Sequence, residues 1–182
     1  MNQFFIALLA ASQLLYNGIT PQPYYLGKII CSEPGCKDFK RINGLWVAFT
    51  GIKYSYKKKK STVKVFCSLV NNTNDTLLLN RRLFSISSDT NEYVLQPAVE
   101  WKRGIPKIIP DTVFRIPGPY GKDVPYSFEF TSKNKMSRKL MRSDTLHFQY
   151  SGGGQPTTLF RIAVLKIEPD WSREDILRAL EN

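Results

Sequence analysis

The sequence predicts an all-β protein, an antiparallel β-sandwich followed by one short C-terminal helix. Apolar and polar residues alternate with a period of two over most of the chain after Pro23, which is typical of β-strands. Turn-forming residues interrupt this alternation about every 8–12 residues, as in β-sandwiches. The chain has 182 residues and is 42% hydrophobic, so it can form a core of ordinary size. We therefore expect a sandwich domain at 43–168 and a C-terminal helix at 169–182.

The first predicted hairpin is the clearest pair of strands. Alternation runs through residues 45–56 and resumes after the polar connection 57–61. The second run places four apolar side chains on one face: Val63, Val65, Cys67 and Leu69. Residues 71–75 then form a predicted turn, because Asn and Asp tolerate left-handed backbone conformations.

Later strands follow at shorter intervals. Short ones are predicted at 77–79, 83–87, 93–95 and 113–116, whereas three prolines make 97–111 a loop or an edge. The strongest alternation covers 124–130 and 146–150, and a long last strand covers 158–167. Ten residues of these strands and of the first hairpin are expected to be buried: Val65, Cys67, Leu69, Tyr126, Phe128, Phe130, Leu146, Phe148, Phe160 and Ile162.

The C-terminal helix is predicted from a start signal and from apolar spacing. Ser172 to Asp175 resembles a capping box that has Asp in place of Glu. Ile176, Leu177 and Leu180 follow as a narrow apolar stripe.

Residues 1–18 are either a signal peptide or an N-terminal apolar segment of the fold. The uncharged run from Phe4 to Ala11, extended by Leu14 and Leu15, has the length of a signal-peptide core and is too short to span a bilayer. No Lys or Arg precedes it, and no clean small-residue cleavage site follows. We expect a secreted, periplasmic or cell-envelope location, or a cytoplasmic one if the segment belongs to the fold.

Residues 19–42 form a predicted N-terminal extension with two cysteines. Cys31 and Cys36 flank a Pro-Gly turn that would bring their Cβ atoms within disulfide range, while Cys67 would stay free in a strand. A disulfide favours export. The alternatives are a reduced pair and a zinc site, for which the further ligands are limited to Cys67 and His147.

Basic residues dominate the charge and form three clusters. The chain has 26 Lys+Arg against 15 Asp+Glu, a formal net charge of +11, which favours anionic partners. The first cluster is Lys57, Lys58, Lys59 and Lys60, with Lys53 and Lys64 nearby; the second is Lys133, Lys135, Arg138, Lys139 and Arg142; the third is Lys102, Arg103 and Lys107. Each cluster is either a solvated loop that keeps the protein soluble or part of an anion-binding face. The first two lie in predicted connections at the sandwich ends, and only their convergence would make a site.

A family resemblance comes from three runs of residues. The run Val63 to Thr73, with its Asn-Asn-Thr end, resembles a strand and turn of immunoglobulin-like domains in bacterial cell-envelope and secreted proteins. The later strands Tyr126 to Phe130 and Leu146 to Tyr150 are similar to those of the same group. The resemblance covers about residues 43–168. It implies an immunoglobulin-like fold and a location outside the cytoplasm, and it assigns no site residue.

Catalytic motifs do not emerge, so we predict a non-enzymatic protein without cofactor or metal. His147 is the only histidine, no Gly-x-Ser-x-Gly motif occurs, and the acidic residues are scattered. The expected function is a module that binds or supports a protein or anionic glycan partner. The alternative is a nucleic-acid-binding β-domain that uses the lysine hairpin with Tyr54 and Tyr56 as stacking residues. An enzyme that acts on polysaccharide is the third possibility.

Overall fold

A computed structural model describes residues 24–30, 39–102, 105–109, 113–118, 124–136, 139–140 and 144–181. The described elements are mostly strands. They are β1 (Tyr24–Ile29), β2 (Lys40–Ile42), β3 (Leu45–Lys57), β4 (Lys60–Asn71), β5 (Leu77–Asn80), β6 (Phe84–Ser88), β7 (Asn91–Leu95), β8 (Ala98–Lys102), β9 (Ile105–Ile109), β10 (Val113–Ile116), β11 (Val124–Ser132), β12 (Thr145–Gly153), β13 (Gln155–Ile167) and one helix, α1 (Arg173–Glu181). A 3₁₀ turn at Arg81–Leu83 links β5 to β6.

The chain divides into two compact units. The smaller one combines Met1–Tyr24 with Lys166–Asn182, and its described part includes α1. Ser172 starts this helix as predicted: its Oγ accepts a hydrogen bond from the Asp175 amide (3.1 Å), and its own amide donates to Asp175 Oδ2 (2.9 Å). These reciprocal bonds satisfy helix-end donors. The Ser172 hydroxyl also donates to Asp175 Oδ2 at 2.6 Å, and this bond, together with that of the Ser172 amide, lowers the pKa of the Asp175 carboxyl. Among the described residues, no helix combines the length and apolar character needed to cross a bilayer.

The larger unit, Tyr25–Leu165, contains a curled nine-stranded antiparallel sheet. Its strand order is β1-β13-β12-β6-β7-β11-β4-β3-β2. Strand β7 pairs with β6 at only two positions and then continues along β11, so the sheet changes direction there. Phe128 of β11 consequently meets Phe84 of β6 and Phe148 of β12, with ring centroids 4.5 and 5.7 Å apart. The predicted all-β fold with one C-terminal helix is confirmed, and its two layers are halves of one curled sheet.

The predicted core lies between these halves. Nine of the ten expected residues are buried, and Tyr126 is half-buried against them. The correct face assignment matters, because a shift of one residue would expose every one of these side chains. Burial also raises the pKa of the Cys67 thiol, so Cys67 behaves as a small apolar core residue.

Two strands lie in the range that the sequence assigned to an extension. β2 pairs with β3 through the turn Asn43–Gly44, where the φ angles are 45° and 77°. Asn-Gly is the preferred pair for a two-residue turn with left-handed backbone. β2 has only three residues, too few to show alternation, so the sequence feature that indicates this strand is the Asn43-Gly44 dipeptide. Cys31, Cys36 and residues 1–18 lie outside the described residues.

The turn after β4 is locked by one buried asparagine. Asn71 is fully buried, and its Nδ2 donates to the backbone oxygens of Asp75 (2.6 Å) and Ile116 (2.9 Å). Its Oδ1 accepts from the amide (2.8 Å) and the hydroxyl (2.8 Å) of Thr73. The next amide, that of Asn72, donates to the Gly44 oxygen at 2.8 Å, which joins this turn to the Asn43–Gly44 turn. One side chain therefore fixes several backbone segments.

The remaining strands form two small sheets. β5 pairs with β10, and β8 pairs with β9. The second pair spans most of the proline-containing region 97–111, with Trp101 opposite Pro106. Outside the main sheet, a strand tolerates the missing amide hydrogen of proline.

Candidate anion-binding site at the lysine hairpin

The turn between β3 and β4 has an unusual sequence for its backbone. Lys57 pairs with Lys60, so Lys58 and Lys59 alone form the turn. Both have left-handed φ angles, 53° and 60°. Left-handed backbone costs a residue with a Cβ atom about 1–2 kcal/mol, which is why Asn-Gly usually occupies such turns. The hairpin therefore carries local strain in two charged residues.

The second basic segment lies directly against this turn. The Met136 amide donates to the Lys59 oxygen at 2.7 Å. Lys60 Nζ donates to the backbone oxygens of Ser132 (3.2 Å) and Lys133 (3.0 Å). The connections after β3 and after β11 thus converge at one end of the sheet. We call this region the lysine end, and its members are Lys57, Lys58, Lys59, Lys60, Lys133, Lys135 and Lys139.

The other predicted basic residues are placed differently. Arg138 and Arg142 of the second cluster lie outside the described residues. In the third cluster, Lys102 and Lys107 belong to the separate β8–β9 sheet, and Arg103 lies outside the described residues.

A buried polar cluster holds the base of the lysine end. The Ser61 amide donates to Ser132 Oγ at 3.1 Å, and Ser61 Oγ donates to the Tyr93 hydroxyl at 2.9 Å. Ser61 and Ser132 are fully or almost fully buried, and Tyr93 is buried as well. Since buried polar groups are costly unless they are hydrogen-bonded, these contacts fix β4, β7 and β11 relative to one another.

Both tyrosines near the lysine run bind the segment after β11. The Tyr54 hydroxyl accepts a hydrogen bond from the Leu140 amide at 3.0 Å, and burial raises the pKa of Tyr54 to about 12. The Tyr56 hydroxyl donates to the Met136 oxygen at 3.0 Å. Tyr54 is buried and Tyr56 half-buried, so neither presents an open ring face for stacking a nucleic-acid base. The tyrosines hold the loop in place.

The lysines themselves have different roles. The side chains of Lys57, Lys58 and Lys59 are exposed. Lys60 is half-buried, and two of its three N–H donors bind backbone oxygens, so it acts as a clasp. Lys133 pairs with Glu92 at 3.0 Å in a solvent-exposed ion pair, which is worth little stability.

Carboxylates at this end offset the lysines only in part. Besides Glu92, Asp144 lies near this end, because burial and, to a smaller extent, the charge of Asp144 raise the pKa of Tyr93. The seven described lysines outnumber these two carboxylates and leave a positive potential at the lysine end, which decays over about 8 Å in physiological saline.

Within the described ranges, no three or more His, Cys, Asp or Glu side chains gather closely enough to hold a metal ion.

No model of a protein family matches the chain, and no curated protein matches it significantly. The immunoglobulin-like resemblance therefore stays a prediction.

Proposed function

We propose that this chain is a non-enzymatic binding module that takes an anionic partner, a glycan or an acidic protein face, at the lysine end. One observation carries the proposal: Lys58 and Lys59 adopt left-handed backbone where Asn-Gly would be less strained. Strained residues that persist in a fold cluster at functional sites. Here the strained residues carry exposed charges beside Lys133 and Lys135, so charge presentation is the function that fits them.

Nucleic acid is the less favoured anion. Sequence-tolerant binding of single strands uses exposed aromatic rings, and Tyr54 and Tyr56 are engaged elsewhere. The described cations of the lysine end are all lysines, which lack the planar fork with which arginine binds phosphate through two parallel hydrogen bonds.

We also propose that the module works outside the cytoplasm. The apolar run at 4–15 supports this location. Cell fractionation with N-terminal sequencing tests it, and a mature chain that starts near Gln13 or Ile19 is the expected result. A cytoplasmic protein that retains Met1 would contradict it.

Anion binding is tested by replacing the exposed lysines of the turn while keeping Lys60, which holds the segment after β11. The variant Lys57→Gln/Lys58→Gln/Lys59→Gln keeps Lys60, whose loss would release the segment after β11. We expect it to elute from a heparin column at clearly lower salt than the wild type.

A matched control separates the site from overall charge. Arg82→Gln/Arg115→Gln/Arg161→Gln removes the same charge from exposed positions on the 3₁₀ turn, β10 and β13. It should elute close to the wild type. Equal shifts for the two variants would mean that heparin senses only net charge, and the proposal would fail.

A further inference from the structure

The outer surface of the β3–β4 hairpin carries an ordered strip of polar side chains. Lys53 pairs with Lys64, Ser55 with Thr62, and Lys57 with Lys60. Directly opposite residues share a face of the sheet. The intervening Ile52, Tyr54 and Val63 are buried, so the paired residues occupy the solvent side. Thr131 extends the middle row, with its Oγ1 3.4 Å from Thr62 Oγ1. We call these residues the outer strip: Lys53, Lys64, Ser55, Thr62, Thr131, Lys57 and Lys60.

Two like-charged pairs on one hairpin are unfavourable by themselves. Like charges directly opposite each other destabilise a sheet. Glu129 lies opposite Lys64 on β11 and adds one carboxylate beside the first pair, while the Lys64 ammonium lies 5.7 Å from the ring centroid of Phe66. Four lysines against this one carboxylate leave the strip positive, and an anion placed between Lys53 and Lys64 would relieve their repulsion.

The spacing of these pairs suits an extended ligand. Lys53 and Lys57 are four residues apart on β3, which corresponds to about 13 Å along an extended strand. A row of hydroxyls, Ser55, Thr62 and Thr131, separates the two charged rows. The pattern of charge, hydroxyls and charge matches a polymer whose anionic groups are separated by polar units.

We infer that the ligand is a linear anionic glycan that lies along the outer strip. Its first anionic group would meet the turn at Lys57–Lys59, and a later one would meet Lys53 and Lys64. The hydroxyl row would bind sugar hydroxyls between them. The strip itself contains no aromatic residue, and the adjacent Phe66 is half-buried with the Lys64 ammonium near its ring. This argues against a base-stacking nucleic acid and against the aromatic anchors of protein interfaces. This inference rests on the proposed function of the lysine end.

Sulfated oligosaccharides of increasing length test the inference. Titration calorimetry on the full chain compares a disaccharide with a decasaccharide for the wild type, Lys53→Gln/Lys64→Gln and Lys57→Gln/Lys58→Gln/Lys59→Gln. We expect the wild type to bind the decasaccharide much more tightly than the disaccharide. The Lys53/Lys64 variant should lose roughly tenfold in affinity for the decasaccharide and almost nothing for the disaccharide. The turn variant should lose affinity for both.

The outcomes separate the two claims. If the turn variant loses binding and the Lys53/Lys64 variant binds both lengths like the wild type, the strip is wrong and the lysine end stands. If neither variant loses binding, the proposed function fails, and the inference fails with it. Single-stranded DNA and polyglutamate of matched charge are titrated at the same salt concentration. Binding of either that equals or exceeds that of the decasaccharide would overturn the glycan assignment.

A stability measurement checks the strip independently of ligand. Lys53→Glu replaces the like-charged pair with an opposite-charged one, so it should raise the melting temperature while it weakens decasaccharide binding. A lower melting temperature would mean that Lys53 and Lys64 do not repel each other, and the argument for the strip would lose its basis.

Discussion

Two hairpin turns in this protein share a left-handed backbone conformation but differ in residue type, since one is Asn-Gly and the other is Lys-Lys. Asn43–Gly44 and Lys58–Lys59 each connect two strands with two left-handed residues. Asn-Gly adopts that conformation readily, whereas Lys-Lys does so at a cost in stability. The backbone requirement alone therefore does not explain the lysines. The difference indicates that the first turn serves folding, and that the second keeps charges at a fixed place.

The surroundings of the two turns differ in the same sense. The Asn72 backbone amide donates to the Gly44 oxygen, which joins the Asn43–Gly44 turn to the turn that the buried Asn71 side chain holds. At the lysine end the Met136 amide binds the turn oxygen of Lys59, and the other hydrogen bonds lie below the turn, at Ser61 and Tyr54. The side chains of Lys58 and Lys59 stay in solvent. The end with the Asn43–Gly44 turn, which we call the closed end, is held by contacts between its turns. The lysine end is held from below and leaves its lysine side chains open to a ligand.

The largest expected effect is at the closed end. Asn71→Ala removes four hydrogen bonds and leaves buried backbone groups without partners, so it should lower the free energy of unfolding by about 3–5 kcal/mol. Urea denaturation measures this loss. Asn74→Ala changes an exposed asparagine of the same turn and should alter stability by less than about 0.5 kcal/mol. Similar losses in both variants would contradict the special role of Asn71.

A methyl group tests why the closed turn needs glycine. A Cβ atom on Gly44 would overlap Thr73 Cγ2, and the φ angle there is 77°. Gly44→Ala should therefore cost about 3 kcal/mol, from left-handed strain and from overlap. Gly154 also has a left-handed φ, 90°, but a Cβ there meets nothing within 4 Å. Gly154→Ala should cost only about 1–2 kcal/mol, and equal costs would show that contact with Thr73 is unimportant.

Alkaline pH should weaken the lysine end through Tyr54. The pKa of Tyr54 is about 12 in the folded protein, against 10.0 for an unperturbed tyrosine, because burial disfavours the phenolate. The resulting stabilisation, about 2–3 kcal/mol, is complete below pH 10 and is lost as the pH rises towards 12.

Tyr54→Phe isolates this contribution. At neutral pH the variant should be less stable by about 1–2 kcal/mol, because the buried Leu140 amide loses its acceptor. Denaturation curves at several pH values should show this difference shrinking above pH 10 and reversing before pH 12, because the wild type loses about 2 kcal/mol by then and the variant does not. A constant difference would mean that the Tyr54 hydroxyl does not titrate as its burial requires.

The sequence predicted the core well because the alternation of apolar and polar residues shows directly which face of a strand is buried. Val65, Phe128 and Leu146 are buried as expected, since each belongs to a strand long enough to show its period. β2 was missed because three residues show no period, although Asn43–Gly44 was an available turn signal.

The candidate site was predictable only in part. Its lysines were visible as clusters, but their convergence depends on the pairing of β4 with β11, and Lys60 contacts Ser132 across 72 positions of sequence. The pairing of Lys53 with Lys64 follows from the register of the hairpin, which the sequence did not fix.

The smallest expected effect is also the most direct test of the comparison. Lys58→Asn/Lys59→Gly gives the lysine hairpin the residues of the Asn43–Gly44 turn. Relief of the left-handed strain should raise the free energy of unfolding by about 1 kcal/mol, while the loss of two charges weakens heparin retention. Lys58→Gln/Lys59→Gln removes the same charges and keeps residues with a Cβ atom, so it should weaken retention without that gain in stability.

If Asn-Gly does not stabilise the protein, Lys58 and Lys59 are not strained and the difference between the turns says nothing about function. If it stabilises the protein and retention falls equally in both variants, the lysines keep a charge at a measurable cost in stability, as expected of a binding site.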